Sequence, residues 1–357
     1  MRELAEPGGG SFPTGLVPWA LPDSAGYTRI LRIIDAALQQ MRGDIERALA
    51  AYGPGRIAVC LGSCDNGSES SLEAHKIFLA SGGTGGGSFP ESYSLRFQSA
   101  SFPAEHISRK FGLQGPVLSV ATACASGASA IARGAELIRA GLCDAVIAGG
   151  ADIVSDTVFL GFHALQALSD SYTNPFSRNR KGINLGEGAA FFLLDSESGG
   201  VELLGAGESA DAFHMTAPSP DGSGPARAMN AALAAAGIGP AEIGYVNLHG
   251  TGTQLNDRAE ALAMKEVFGH RLPPASSTKP VMGHALGAAG ALEAALCWMV
   301  LSEDKGLPPH CWDGEGDEEL PFVPLISEEN SACAGFCLSN SFAFGGCNVS
   351  LVMGRKP

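Results

Sequence analysis

The stretch VATACASGASA, residues 120–130, sets a lone cysteine, Cys124, between a short apolar run and a file of small residues. Residues 117–121 read as a buried strand, and residues 125–140 as a helix whose start is crowded by Ser126, Gly127 and Ser129. A thiol at such a junction lies in the positive field of a helix N-terminus, which favours the thiolate. The first N–H groups of the helix have no partner inside it and are free to hold a developing oxyanion. Small neighbours at Ala123, Ala125, Ser126 and Gly127 leave room for a substrate carbonyl. A packed structural cysteine is the competing reading, and this stretch alone does not separate the two.

Working outward, residues 27–52 carry apolar side chains at helical spacing until Gly53-Pro54-Gly55 stops them. Residues 56–62, 144–151 and 189–194 are short apolar runs that predict buried strands, and residues 63–88, rich in Ser and Gly, predict a flexible loop. After the break at residues 196–200 the rhythm restarts. Strands are expected at 201–209, from 243, near Cys337 and at 348–354, with helices at 225–236, 256–268 and about 288–301. Continuous apolar strands alternating with helices imply an α/β fold with sheets covered on both faces. The repeated rhythm suggests an internal duplication, with halves at 1–198 and 199–357. The glycine run 82–87 is followed by no Gly-Lys-Ser/Thr, and residues 205–208 lack the third glycine of a dinucleotide fingerprint, so neither nucleotide motif is present.

Composition narrows the function. The chain has 357 residues, 45% hydrophobic and only 17% charged, with a net charge of −14. That acidity argues against nucleic acid and an anionic membrane surface as partners. An acidic protein can still dock on a local basic patch, for which Arg178, Arg180 and Lys181 are one candidate. The 9 cysteines are odd in number and scattered, which suggests a reducing cytoplasm and no disulfide framework. The Cys60/Cys64 and Cys333/Cys337 pairs lack the spacing of a zinc site, so no metal is expected. No run of about 18 apolar residues is read along the chain, so no membrane span is expected.

Three further stretches bear on Cys124. Residues 247–253, NLHGTGT, end a predicted strand on His249 before a Gly/Thr turn. Residues 278–284, TKPVMGH, place His284 five positions after Lys279 and before a small-residue helix start. Residues 340–348, NSFAFGGCN, form a Gly-rich turn between strands, of the kind that brings backbone close to a ligand. With TACASG at 122–127, these motifs in this order resemble the β-ketoacyl-acyl-carrier-protein synthases, the condensing enzymes of fatty-acid and polyketide synthesis in the thiolase-like superfamily. The resemblance runs from residue 27 to the C-terminus and implies a duplicated five-layer α-β-α-β-α sandwich.

What the resemblance implies for chemistry is an acyl group passed from carrier phosphopantetheine to Cys124. Decarboxylative Claisen condensation with malonyl on a second carrier follows. His249 and His284, as neutral imidazoles, would donate from Nε2 to the enolate oxygen, and the backbone N–H groups of Cys124 and Phe344 would form the oxyanion hole. Lys279 would pair with Glu293, Thr251 and Thr253 would bond the pantetheine amides, Phe344 would gate the acyl pocket with Phe342 beside it, and Glu187 would be structural. No metal or cofactor is implied beyond the phosphopantetheine of the acyl carrier protein, and a dimer is implied, homodimeric or a ketosynthase heterodimer.

The chain departs from the pattern in several places. The family's opening VVITGxG strand is absent before Tyr27. Cys347 stands for the usual Thr, Ala343 for a Gly, Met282 for a Thr, and residues 177–181 for a segment that commonly carries an Asp. A non-catalytic chain-length-factor-like subunit is the alternative, though such subunits usually lose the nucleophile that this chain keeps. A degradative thiolase would need a second catalytic cysteine, and an initiating synthase would pair Cys with His and Asn. The departures hint at aryl-polyene or polyketide synthesis in place of housekeeping fatty acids.

Overall fold

Two halves repeat one order of elements in the computed structural model, which describes residues 2–5, 11–21, 27–64, 67–197, 199–303, 306–326 and 334–355. The first contains a hairpin, β1 (Arg2–Ala5) and β2 (Ser11–Thr14), then α1 (Arg29–Gln40), α2 (Arg42–Tyr52), β3 (Ile57–Gly62), α3 (Ser68–Ala80), α4 (Phe102–Phe111) and β4 (Val117–Val120). It continues with α5 (Ser126–Arg139), β5 (Ala145–Asp152), α6 (Asp156–Ala164) and β6 (Gly188–Asp195). The second runs β7 (Glu202–Ala210), α7 (Ser223–Ala236), β8 (Tyr245–Asn247), α8 (Gln254–Phe268), β9 (Ala275–Ser276) and α9 (Lys279–Met282). It ends with α10 (Ala289–Glu303), β10 (Phe336–Phe342) and β11 (Cys347–Gly354).

The two main sheets have matching orders, β4-β3-β5-β6 and β9-β8-β10-β11-β7. In each, the first three strands are parallel and the next is antiparallel. The first sheet has four strands and the second five, because no described strand lies outside β6 where β7 lies outside β11.

Alternation along β3 shows the layering. Ile57, Val59 and Leu61 pack outward with Ile34, Leu38 and Ile107 of α1 and α4. Ala58 and Cys60 pack inward with Ala128 and Ala132 of α5 and with Ala291 and Ala294 of α10. In the second half, Val246, Leu338 and Val352 face outward to α7 and α8, while Tyr245, Cys337 and Leu351 face the central helices. The result is the expected α-β-α-β-α sandwich.

The central helices approach closely because their crossing residues are small. A Cβ on Gly127 would lie 2.8 Å from the Gly287 carbonyl oxygen, and one on Gly290 would lie 2.6 Å from Ser341 Oγ. Gly127→Val is expected to cost about 1–3 kcal/mol through overpacking. Thermal denaturation checks this, and an unchanged Tm would contradict the close crossing.

Three sequence expectations are corrected. Residues 27–52 form two helices, since Met41 leaves helical geometry at φ −109°, ψ 15°. Residues 63–88 are not a loop throughout: Ser68–Ala80 is helical, its Ser-rich first turn concealing a later run in which Phe78 stacks on Phe89 at 4.6 Å. The window Leu286–Glu303 has mean hydropathy 1.3 over 18 residues, enough in length and composition to span a membrane, contrary to the reading of no such run. Most of that window is buried between the two sheets, as befits a core helix.

Candidate active site

Cys124 sits where β4 gives way to α5, in a tight 3₁₀ turn over Ala123–Ala125. Local hydrogen bonds build the turn. The Thr122 N–H donates to Ser126 Oγ at 2.9 Å, and Ser126 Oγ donates to the Ala123 carbonyl at 2.6 Å. Ala123 takes φ +49°, a left-handed conformation that alanine adopts only under strain. Leu286 repeats it at φ +49° in the turn before α10, so the duplication extends to the strained entry of each central helix.

Four chain segments converge on the sulfur. Cys124, His249, His284, Thr251, Thr253, Phe342 and Phe344 all line one cleft of about 370 Å³. The His249 and His284 ring centroids are 5.3 Å apart, crossed at 82°. Phe342 meets His249 edge-on at 6.1 Å, and Phe344, partly exposed, stacks on Phe162 at 5.8 Å. Lys279 is buried behind the histidines, donating to the His249 carbonyl and to Glu293 Oε1. Its ammonium also lies 3.4 Å from His249 Nδ1. An ammonium only donates, so Nδ1 is the acceptor and the ring proton is assigned to Nε2.

Burial and charge set the protonation states. Burial pushes the Cys124 thiol up to about 12; the Lys279 cation opposes this, Asp152 adds to it, and the N–H groups of Phe344 and of Cys124 itself favour the thiolate. The backbone N–H groups at the helix entry favour the thiolate, as the sequence suggests, but desolvation outweighs them. Burial lowers both His249 and His284 well below the usual imidazole range, and the Lys279 charge lowers them further, so both are neutral at pH 7.

Two carboxylates hold this geometry, and neither was singled out in the sequence. Glu260 accepts the N–H groups of His249 and Gly250 at 2.8 Å each, and Asn340 Nδ2 at 3.2 Å; burial pushes it up to about 7. Asp152, at the end of β5, accepts from Ser63 Oγ at 3.0 Å, the Cys64 N–H at 2.9 Å and the Gly287 N–H at 2.6 Å, tying the first half to the entry of α10. Their only sequence signal is an acid inside an otherwise apolar segment. Glu187 lies away from the cleft, paired with Arg29 and accepting the Val17 N–H at 2.9 Å. Arg180 does not belong to a surface docking cluster: it is buried against Asp317 at 2.5 Å, while Arg178 pairs with Glu315 and Lys181 with Asp170.

Removing the central cation is expected to shift both kinds of site group toward their protonated forms. Lys279→Met should raise the imidazoles and move the acid limb of the pH–rate profile to higher pH. It should also slow iodoacetamide alkylation of Cys124, because the cation favours thiolate. Leaving Glu293 buried and unpaired should cost about 3–5 kcal/mol in denaturant unfolding. The double variant Lys279→Met, Glu293→Leu keeps the test available if the single one unfolds. An unmoved acid limb would contradict the electrostatic assignment.

Known proteins share both the sequence and the fold of this chain. Residues 31–200 match the model of the beta-ketoacyl synthase N-terminal domain, and residues 201–311 that of the C-terminal domain. The chain is 36% identical over 309 residues to nodulation protein E of Rhizobium meliloti (strain 1021), covering 83% of this chain and 75% of that one. It is 34% identical over 317 residues to 3-oxoacyl-[acyl-carrier-protein] synthase 2 of Staphylococcus aureus (strain COL), covering 83% and 74%. Among solved structures, the ketosynthase ApeO in complex with its chain length factor ApeC from Xenorhabdus doucetiae superposes with a TM-score of 0.93 at 39% identity, over 100% of this chain and 90% of that one. The chain belongs to the β-ketoacyl synthase family, acyltransferases of the condensing type.

Proposed function

We propose that Cys124 carries the growing acyl chain and that His249 and His284 drive its extension by a malonyl unit on acyl carrier protein. The supporting observation is the convergence of the sulfur, two neutral imidazoles and two backbone donors at one cleft. The thioester carbonyl oxygen lies in the hole made by the Cys124 and Phe344 N–H groups. Cys124 Sγ attacks the carbonyl carbon, the carbon–sulfur bond to pantetheine breaks, and the thiol proton leaves on the pantetheine sulfur. Malonyl thioester then enters with its carbonyl oxygen toward the two imidazoles. Its carboxylate leaves as carbon dioxide, and the electron pair becomes an enolate stabilised by Nε2–H donation. The enolate carbon bonds to the acyl carbon, the acyl carbon–sulfur bond breaks, and its electron pair returns to Cys124, which takes a proton from water. Thr251 and Thr253, with hydroxyls 3.0 Å apart, hold the pantetheine amides.

The chain acts as the catalytic member of a pair, in polyene- or polyketide-type synthesis. The supporting surface is the edge of β4, where Leu118 is 38% exposed only six residues before the nucleophile. An uncovered apolar strand edge calls for a partner subunit. The similarity to a ketosynthase solved in complex with its chain length factor favours a heterodimer. Size-exclusion and condensation assays with and without a co-expressed chain-length-factor-like subunit test this. Expected is a complex, lost in Leu118→Lys, that makes longer polyunsaturated products; full activity of the chain alone on saturated acyl carriers would refute the pathway reading.

A further inference from the structure

Two loops that line the cleft are joined by a histidine that does not line it. One loop is the turn at residues 247–253, which carries His249, Thr251 and Thr253. The other lies between α6 and β6, and its Lys181, Gly182 and Ile183 line the same cleft. Buried side chains tie the second loop to the outer part of the turn. Thr173 Oγ1 donates to the Thr251 carbonyl at 3.1 Å. Asp257 accepts the N–H groups of Phe176 at 2.8 Å and of Gly252 at 3.2 Å. The tie to Gly250, next to His249, runs through His310.

His310 follows α10 in the chain, and its own N–H donates to the Ile326 carbonyl at 2.9 Å. The ring is buried, with Phe176 and Trp312 meeting it edge-on at 6.1 and 5.7 Å. Nδ1 accepts the Ser277 N–H at 3.0 Å, and Nε2 donates to the Pro175 carbonyl at 3.0 Å. An amide N–H only donates and a carbonyl only accepts, so these partners assign the proton to Nε2 and leave Nδ1 bare. A neutral imidazole offers both functions on one rigid ring. Burial pushes the ring down to about 4, which keeps it neutral at pH 7.

Each end of this tie reaches a constrained piece of backbone. Ser277 stands between β9 and α9, and its Oγ donates to the Gly250 carbonyl at 2.7 Å. Contact there is close: a Cβ on Gly250 would lie 2.6 Å from Ser277 Cβ. Ser277 Oγ also accepts the N–H of Lys279, whose ammonium holds the His249 carbonyl. A shift of Ser277 therefore carries the His249 backbone with it. At the other end, the Pro175 carbonyl and the Phe176 N–H belong to one peptide group. His310 and Asp257 grip that peptide from opposite sides. Phe176 has φ +63°, a conformation that a bulky residue keeps only where its surroundings hold it.

We propose that His310 is a positioning residue for condensation, which through Ser277 and Gly250 sets the place of the His249 imidazole relative to the loop at residues 173–183. This rests on the reading of His249 as a condensation group. It adds a residue outside the cleft to the machinery and gives its ring nitrogens separate tasks.

The test compares His310→Leu with His310→Asn. The two side chains are close in shape, and only Asn offers an acceptor near the place of Nδ1. His310→Leu is expected to lower kcat for condensation by about tenfold to 10²-fold, the order of loss when a reacting group is misplaced by about 1 Å. His310→Asn is expected to restore most of it. Acyl loading of Cys124 should keep its wild-type rate in both, since its oxyanion hole is built elsewhere. A merely structural histidine would instead lower loading, condensation and Tm together, with Asn no better than Leu. Either that pattern or wild-type condensation in His310→Leu would overturn the proposal. If His310→Leu does not fold, Ser277→Ala removes the next link and leaves the ring in place. The same condensation-only loss is expected there, and a wild-type rate would overturn the proposal. Placement is also read without activity, from the His249 ring signals of ¹⁵N-histidine-labelled chain, identified by their loss in His249→Ala. They are expected to move in His310→Leu and return in His310→Asn; unmoved signals would overturn the proposal. A wild type that loads acyl groups without condensing would sink the condensation reading alone, and the ring signals would still decide the placement.

Discussion

Cys124→Ala is expected to abolish β-ketoacyl product, by on the order of 10⁴-fold or more, the range reached when a covalent nucleophile is removed. Among the described residues no second thiol lines the cleft. Cys64, near the same turn, is held protonated by burial and by the Asp152 charge, and it does not line the cleft. The change removes one small buried atom at a site already floored by alanines, so folding should survive it. Release of carbon dioxide from malonyl-acyl carrier protein should persist, because the imidazoles that stabilise the enolate are untouched. Product chromatography and carbon dioxide release, measured on one preparation, separate the two. Equal loss of both would mean that the variant is misfolded or that Cys124 only packs.

His249→Ala and His284→Ala are expected to give the reverse pattern. Each removes a donor aimed at the developing enolate and should lower condensation about 10²–10³-fold, the loss typical of one oxyanion-hole donor. Acyl loading of Cys124 should continue, since its hole is made of backbone N–H groups that neither substitution alters. The pH dependence carries the same signature. Both imidazoles lie well below their usual range, so neither should titrate between pH 8 and 6. An acid limb near the ordinary imidazole value of about 6.5 would show a charged histidine at rest and contradict the assignment.

Most of the fold was legible because its strands are apolar throughout, as strands covered on both faces must be. The runs at β3, β5 and β6 announce themselves in this way, and Gly53 to Gly55 marks the boundary before β3. The helix α3 was hidden because its first turn is serine and glutamate, residues equally at home in a loop. The site was legible as motifs, since Cys124, His249, His284 and the turn at Phe344 each sit at the end of an element beside small residues. What escaped was set by tertiary contact. Glu260 and Asp152 matter through backbone N–H groups far away in the chain, and Arg180 is withdrawn from the surface by Asp317. The resting state of Cys124 escaped too, because a local helix-end field argues for thiolate while burial, invisible in a short stretch, argues more strongly against it.

Intact-protein mass spectrometry after incubation with acyl carrier protein bearing a panel of acyl chains, on the wild type and on Cys124→Ala, tests the central claim most directly. The account predicts a mass gain of one acyl group on the wild type, none on the variant, and a ranking of chains that reports the pocket. The same gain on Cys124→Ala, or none on the wild type with any chain and with the partner subunit present, would contradict it.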